Sequence, residues 1–252
     1  MFRHRVIPIL LLKGLGLVKS TKFKDYRYIG DPINAVKIFN DLKADELVFL
    51  DITASKEKRM ISLDFVKNVG DEANMPFAVG GGIRSKKDIK AVINAGAEKV
   101  IINTYAVENP EFIKEASDMF GSSTIVVSID VKKDLFGRKK VYTVGGNKST
   151  GLDPVEFACK MEEYGAGEII INSIDKDGTM SGYDLTLIEE IAKSVKIPVV
   201  AAGGASKLND FKQATEVFAS AVAAGSMFVY HGPRKAVLIN YPSEKELYSL
   251  FL

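Results

Sequence analysis

The chain has 252 residues, 46% hydrophobic and 26% charged, with 34 basic and 32 acidic side chains and a formal net charge of +2. Such a composition suits a globular protein with a large core, and the lack of any basic block or arm argues against a polynucleotide partner. A single cysteine, Cys159, excludes an internal disulfide, and with only His4 and His231 beside it no metal-ligand spacing can be assembled.

The first apolar run, VIPILLLKG (6–14), reads as a buried strand entering a glycine-bearing loop. Residues 1–19 are basic and apolar but lack a small-residue cleavage site and contain Pro8, Gly14 and Gly16, so they do not read as a signal peptide. No stretch approaches the roughly 18 apolar residues of a membrane span. The next segment, DPINAVKIFNDLKA (31–44), is a helix with Asp31 as cap and Pro32 in its first turn.

Further strands follow at ELVFLDI (46–52), PFAVGG (76–81), KVIINT (99–104), TIVVSID (124–130), EIIINSI (168–174), PVVAAGG (198–204) and ASAVAAGSM (219–227). Near-continuous apolar runs of this kind are parallel strands covered on both faces. Between them, SKKDIKAVINAGA (85–97), NPEFIKEASDMFG (109–121) and DPVEFACKMEEYG (153–165) are helices with a cap or proline at the start and glycine at the end. Cys159 lies in the last and reads as a core thiol, in keeping with a reducing cytoplasm. The run KEKR (56–59) reads as a solvated loop.

Eight strand-then-helix units predict a single (β/α)8 barrel domain spanning 1–252, with a doubly wound open sheet as the alternative.

The two halves resemble each other. PFAVGGGIRSKKDIKAVINAGAEKVIINTYAV begins at Pro76 and PVVAAGGASKLNDFKQATEVFASAVAAGSMFV at Pro198, 122 residues later and without a gap. Gly82 then falls on Gly204, and Asn103 and Thr104 on Gly225 and Ser226. A period of that length is half a barrel. Glycines that follow a strand and open a helix let backbone N–H groups approach an anion. Two such loops in register, each followed by a donor-bearing strand end, predict two phosphate cradles and a substrate phosphorylated at both ends.

These segments, with DELVFLDITASKEKR, VIINTYAVENP, GAGEIIINSIDKDGT, SGYD and AAGGAS, resemble the cyclase subunit family of imidazole glycerol phosphate synthase over nearly the whole chain. The resemblance implies a barrel of half-barrel ancestry that binds a bis-phosphorylated ribonucleotide. It implies a glutaminase partner on the N-terminal face and ammonia passing through the barrel interior. No cofactor or metal is implied. By the resemblance, phosphate would be held at Gly82, Asn103, Thr104, Gly178, Gly204, Gly225 and Ser226. Asp130 and Asp177 would be catalytic, Asp51 structural or assisting, and Lys19 the lysine of a mobile loop. Arg5, Glu46, Lys99 and Glu168 would form a charged ring at the ammonia inlet.

One departure stands out. Where the family carries its first catalytic aspartate, this chain has Leu11, and setting PILLLKG (8–14) on VSIDVKK (127–133), 119 residues later and close to the 122 offset, puts Leu11 against Asp130. Gly14 and Gly16 replace a further acid and an arginine, Gly145 an expected serine, and Asn172 an expected threonine. A leucine moves no proton. The chain therefore looks like the branch linked to glycosyl amidation, in which the barrel conducts ammonia to a sugar amidotransferase for surface polysaccharide. The alternatives are a working cyclase of histidine biosynthesis and a non-catalytic scaffold that switches on its glutaminase.

Overall fold

The computed structural model describes residues 3–251. Eight parallel strands close on themselves: β1 (Arg5–Lys13), β2 (Leu47–Asp51), β3 (Phe77–Gly80), β4 (Lys99–Ile102), β5 (Ile125–Lys133), β6 (Glu168–Ser173), β7 (Val199–Ala202) and β8 (Ala221–Ala224). Closure is set by β1, which places Arg5 beside Ala221 of β8 and Ile9 beside Val48 of β2. A doubly wound sheet would leave those edges open, so the (β/α)8 barrel holds and the open-sheet alternative falls.

The expected helices form for the expected local reasons. Asp31 accepts from the Asn34 N–H and precedes Pro32–Asp41. Ser85 and Asp88 make a reciprocal capping box on Lys86–Asn94, and Asp153 accepts from the Val155 and Glu156 N–H groups at the head of Pro154–Glu163. Cys159 on that last helix is partly buried against the core.

Strands that are apolar on both faces build two separate cores. Ile7, Val48, Ala78, Ile101, Val126 and Ile170 fill the barrel interior. Between strands and helices, Phe39, Phe49, Phe211 and Phe228 are completely buried, each contributing about 1.5–3 kcal/mol.

The strand ends differ from expectation in one respect. β1 and β5, nine residues each, run past the barrel and turn back as antiparallel hairpins. β1 pairs with Gly16–Thr21, which pairs in turn with Lys24–Gly30. β5 pairs with Lys139–Thr143, followed by Lys148–Ser149. The stretch GLGLVKS (14–20) is therefore a tight two-residue turn and a strand, rather than a loop. Gly14, at φ +62°, sits in the left-handed turn conformation that allows this reversal.

Candidate active site

The C-terminal ends of the strands open into one cavity whose lining includes Leu11, Gly82, Asp130, Asn172, Gly204 and Ser226. Its glycine loops are built for close approach. Gly82 and Gly204, equivalent in the repeat, both have positive φ, and a Cβ on either would collide with a backbone carbonyl, of Arg59 and Gly182 respectively. Gly178 packs in the same way on the Ser20 carbonyl. Asn103 and Gly225 immediately precede the short helices Thr104–Glu108 and Ser226–Val229, and Thr104 and Ser226 are buried. The Thr104 hydroxyl accepts the Val144 N–H at 3.1 Å. The predicted phosphate residues of each half thus converge on the mouth.

Asp130, on β5, is buried at 8% exposure. Asn103 Nδ2 donates to its Oδ2 at 3.1 Å and Asn172 Nδ2 to its Oδ1 at 3.3 Å. Burial pushes its carboxyl up to about 7, with the charge of Asp177 adding and the two amides opposing. Burial also raises Asp177, while the Lys19 charge and the Ser20 hydroxyl, donating at 3.1 Å, hold it down. Lys19 is not on a loose loop. It lies on the hairpin strand Gly16–Thr21, 4% exposed, with its ammonium donating to the Ile9 carbonyl and touching Gly225. Burial lowers it to about 8, partly offset by Asp177. The mouth thus holds a carboxyl and an amine that both titrate near neutrality, the condition for dividing acid and base roles.

Leu11 lines the opposite wall on β1, in register with Leu50, and with Ile9 makes that side of the mouth apolar. Asn172 Oδ1 is buried and accepts no hydrogen bond. Gly145, at φ +62°, takes a conformation that disfavours the serine expected there.

Two residues that sequence reasoning does not single out, Arg59 and Ser20, hold acids near the mouth. Asp51 is a structural acid: it accepts from the Thr53 and Ala54 N–H groups at 3.1 Å and is bridged by Arg59 at 2.6 Å. The run KEKR is a solvated loop at Lys56, Glu57 and Lys58, which are exposed, while the Arg59 guanidinium turns in to Asp51. The location of Arg59 at the end of a charged run, directly before Met60 and Ile61, gives no signal of that pairing. Ser20, which orients Asp177, was also missed.

At the other end of the barrel, Arg5 bridges Glu46 and Glu168, and Lys99 reaches the same two carboxylates at 3.1 and 2.9 Å. The four predicted residues form one alternating ring, with Glu46 and Glu168 buried at 4% and 6% exposure. Among the described residues no group of three His, Cys, Asp or Glu side chains is placed to hold a metal, and no helix is long and apolar enough to cross a membrane.

The sequence profile of the family described as "Histidine biosynthesis protein" matches residues 5–233. The chain belongs to this family. Among its relatives, the imidazole glycerol phosphate synthase subunit HisF of Oceanobacillus iheyensis is 46% identical over 247 residues, covering 98% of this chain and 97% of that one. The HisF subunit of Methanocaldococcus jannaschii is 48% identical over 226 residues, 82% of this chain and 83% of its own. A Pseudomonas aeruginosa protein, provisionally named imidazole glycerol phosphate synthase subunit hisF2, is 45% identical over 248 residues, 98% of this chain and 99% of its own. The histidine-biosynthesis family thus has here a member with the barrel, the mouth cavity and the bottom ring in place, and with leucine at position 11.

Proposed function

We propose that the chain is the cyclase-type subunit of an imidazole glycerol phosphate synthase. It binds a bis-phosphorylated ribonucleotide between the cradles at Gly82 and Gly204. It receives ammonia through the barrel from a glutaminase docked beneath the ring of Arg5, Glu46, Lys99 and Glu168. The observation that carries this reading is Asp130, buried between two glycine cradles, held by two amides and poised near neutral pH. Such a group gives and takes protons during ring closure. Lys19, directed into the same cavity from the hairpin, supplies positive charge beside the second cradle. The names of the HisF relatives support this assignment.

A second reading draws on Leu11. With an apolar wall facing Asp130, one of two acid/base groups is absent, and losing a positioned acid or base lowers a rate by about 10²–10⁴. In this reading the barrel passes ammonia on for glycosyl amidation, to an amidotransferase that builds acetamidino sugars.

One assay separates the two. Purified protein is given ammonia and the nucleotide substrate, with Leu11→Asp in parallel. Turnover at the rate of an ordinary cyclase subunit supports the synthase reading. Turnover at least 10²-fold lower, rising in Leu11→Asp, shows that the cyclase apparatus lacks only its acid and favours ammonia export. Absence of nucleotide binding by calorimetry sinks the first reading outright.

A further inference from the structure

The near-neutral charge of the chain conceals a strong polarity. The two hairpins that rise from β1 and β5 span residues 13–28 and 132–149. Together they carry eleven basic and two acidic residues, which leaves twenty-three basic and thirty acidic residues for the rest of the chain. Lys19 turns into the mouth. The other ten basic residues lie on the hairpins, with Lys13, Lys22, Lys24, Arg27, Lys133 and Lys148 exposed. β1 and β5 are four strands apart in a closed ring of eight, so the hairpins rise from opposite sides of the mouth and meet where Phe23 of the first packs on Gly146 of the second.

Both hairpin tips are apolar. Leu15 is 95% exposed, Leu135 fully exposed and Phe136 81% exposed. The second tip is not slack. The Asp134 carboxylate accepts from the Phe136 and Arg138 N–H groups at 2.8 and 3.0 Å and from the Arg138 guanidinium at 2.8 Å. The Asp134 N–H donates to the Arg138 carbonyl at 2.9 Å, closing the turn. Arg138 also lies over the Phe136 ring, 5.1 Å from its centre. A turn pinned at four points holds a leucine and a phenylalanine out in water, which is unfavourable unless something covers them.

We propose that these two hairpins form a docking surface for an acidic partner protein that straddles the barrel mouth. Positive charge alone would serve to attract a phosphorylated small molecule, but that role has no use for apolar tips, one of them pinned in place. A polynucleotide fits less well: Leu15 and Leu135 offer no ring for bases to stack on, and the exposed rings already have a face occupied, Phe136 by Arg138, Tyr26 by Lys13 and Tyr28 by Gly16. Apolar anchors surrounded by a charged rim are the usual anatomy of a protein interface, and the basic rim selects an acidic counterpart. The partner's position over the exit makes it the acceptor of whatever leaves the barrel. That last role rests on the ammonia-export reading, whereas the docking does not.

The test places a photo-cross-linking amino acid at position 15, at 136, and at the exposed Met119 on the outer helix Glu111–Phe120 as a control, in the full chain co-expressed with its glutaminase in the native host. Positions 15 and 136, but not 119, should cross-link the same protein, distinct from the glutaminase. That protein, identified by mass spectrometry and purified, should bind the chain at least ten times more weakly when Lys22, Lys24, Lys133 and Lys148 are all changed to Glu. The melting temperature and glutaminase binding of that variant should be unchanged. Cross-links to nucleic acid, to the glutaminase alone, to different proteins from the two tips, or to nothing would overturn the proposal, as would an unchanged affinity of the charge-reversed variant. If the partner docks but receives no ammonia-derived nitrogen, export fails while docking stands. If an acceptor is amidated with no cross-link at either tip, docking fails while export stands.

Discussion

Replacing Asp130 with Asn should stabilise the protein in alkaline solution and lose that advantage in acid. Folding lifts the Asp130 carboxyl from its ordinary 3.8 to about 7, mainly by burial. Between those values the folded protein keeps a proton that the unfolded chain releases, so stability falls as pH rises through the window. Above about pH 7 the ionised carboxylate costs the fold the whole difference, about 4 kcal/mol at 1.36 kcal/mol per tenfold change. Below 3.8 both states are protonated and the cost vanishes. Asparagine carries no such penalty, but its amide cannot accept from both Asn103 and Asn172 as the carboxylate does, a loss of about 1 kcal/mol. The net expectation is a gain of about 3 kcal/mol at about pH 8.5, or about 6–12 °C in melting temperature for a chain of this size, and a slight loss at about pH 4. Urea unfolding of both proteins at the two pH values reads it directly. A difference of the same size at both, or destabilisation at the higher pH, would refute the picture of a buried, strained carboxylate. Under the synthase reading, turnover of Asp130→Asn should also fall by about 10²–10⁴.

Three other outcomes follow from the geometry. Lys99→Met leaves buried Glu46 and Glu168 with Arg5 alone; since Lys99 is 22% exposed and Arg5 still bridges both, the loss should be about 2 kcal/mol by urea unfolding, below the roughly 3–5 of a fully broken buried pair. Gly204→Ala forces a side chain into φ +114° against the Gly182 carbonyl. It should cost about 2–4 kcal/mol and abolish phosphate binding measured by calorimetry. Tyr241→Phe removes a hydroxyl that donates to the Val6 carbonyl at 2.8 Å and accepts the Asp45 N–H at 3.3 Å. It should cost about 1–3 kcal/mol with no change in ligand affinity, because this contact lies at the far end of the barrel.

The barrel was legible because its signals are local and repeated. Apolar runs mark strands buried on both faces, Asp31, Ser85 and Asp153 mark helix starts, and the 122-residue repeat places Gly82 on Gly204. Those glycines have no tolerated substitute where a backbone carbonyl approaches, so the cradles leave a trace in residue type alone. Leu11 was equally visible, since PILLLKG set on VSIDVKK, 119 residues later, puts it against Asp130, and a missing carboxylate shows in the letters.

What the sequence could not decide was anything carried by a contact between distant segments. Closure of the ring of Arg5, Glu46, Lys99 and Glu168 depends on strands far apart in the chain meeting at one end of the barrel. The carboxyl of Asp130 sits near 7 because the closed barrel buries it and brings Asp177 close, against the opposing pull of two amides from other strands. Lys19 looked like a loop lysine until the hairpin register turned its ammonium inwards. The charge polarity of the two faces was hidden in a near-zero total, because residues 13–28 and 132–149 become neighbours of one opening only when β1 and β5 take opposite places in a closed barrel. Residue type and period are written along the chain, whereas burial, pairing and proximity belong to the closed barrel, and the chemistry of the mouth depends on the second set.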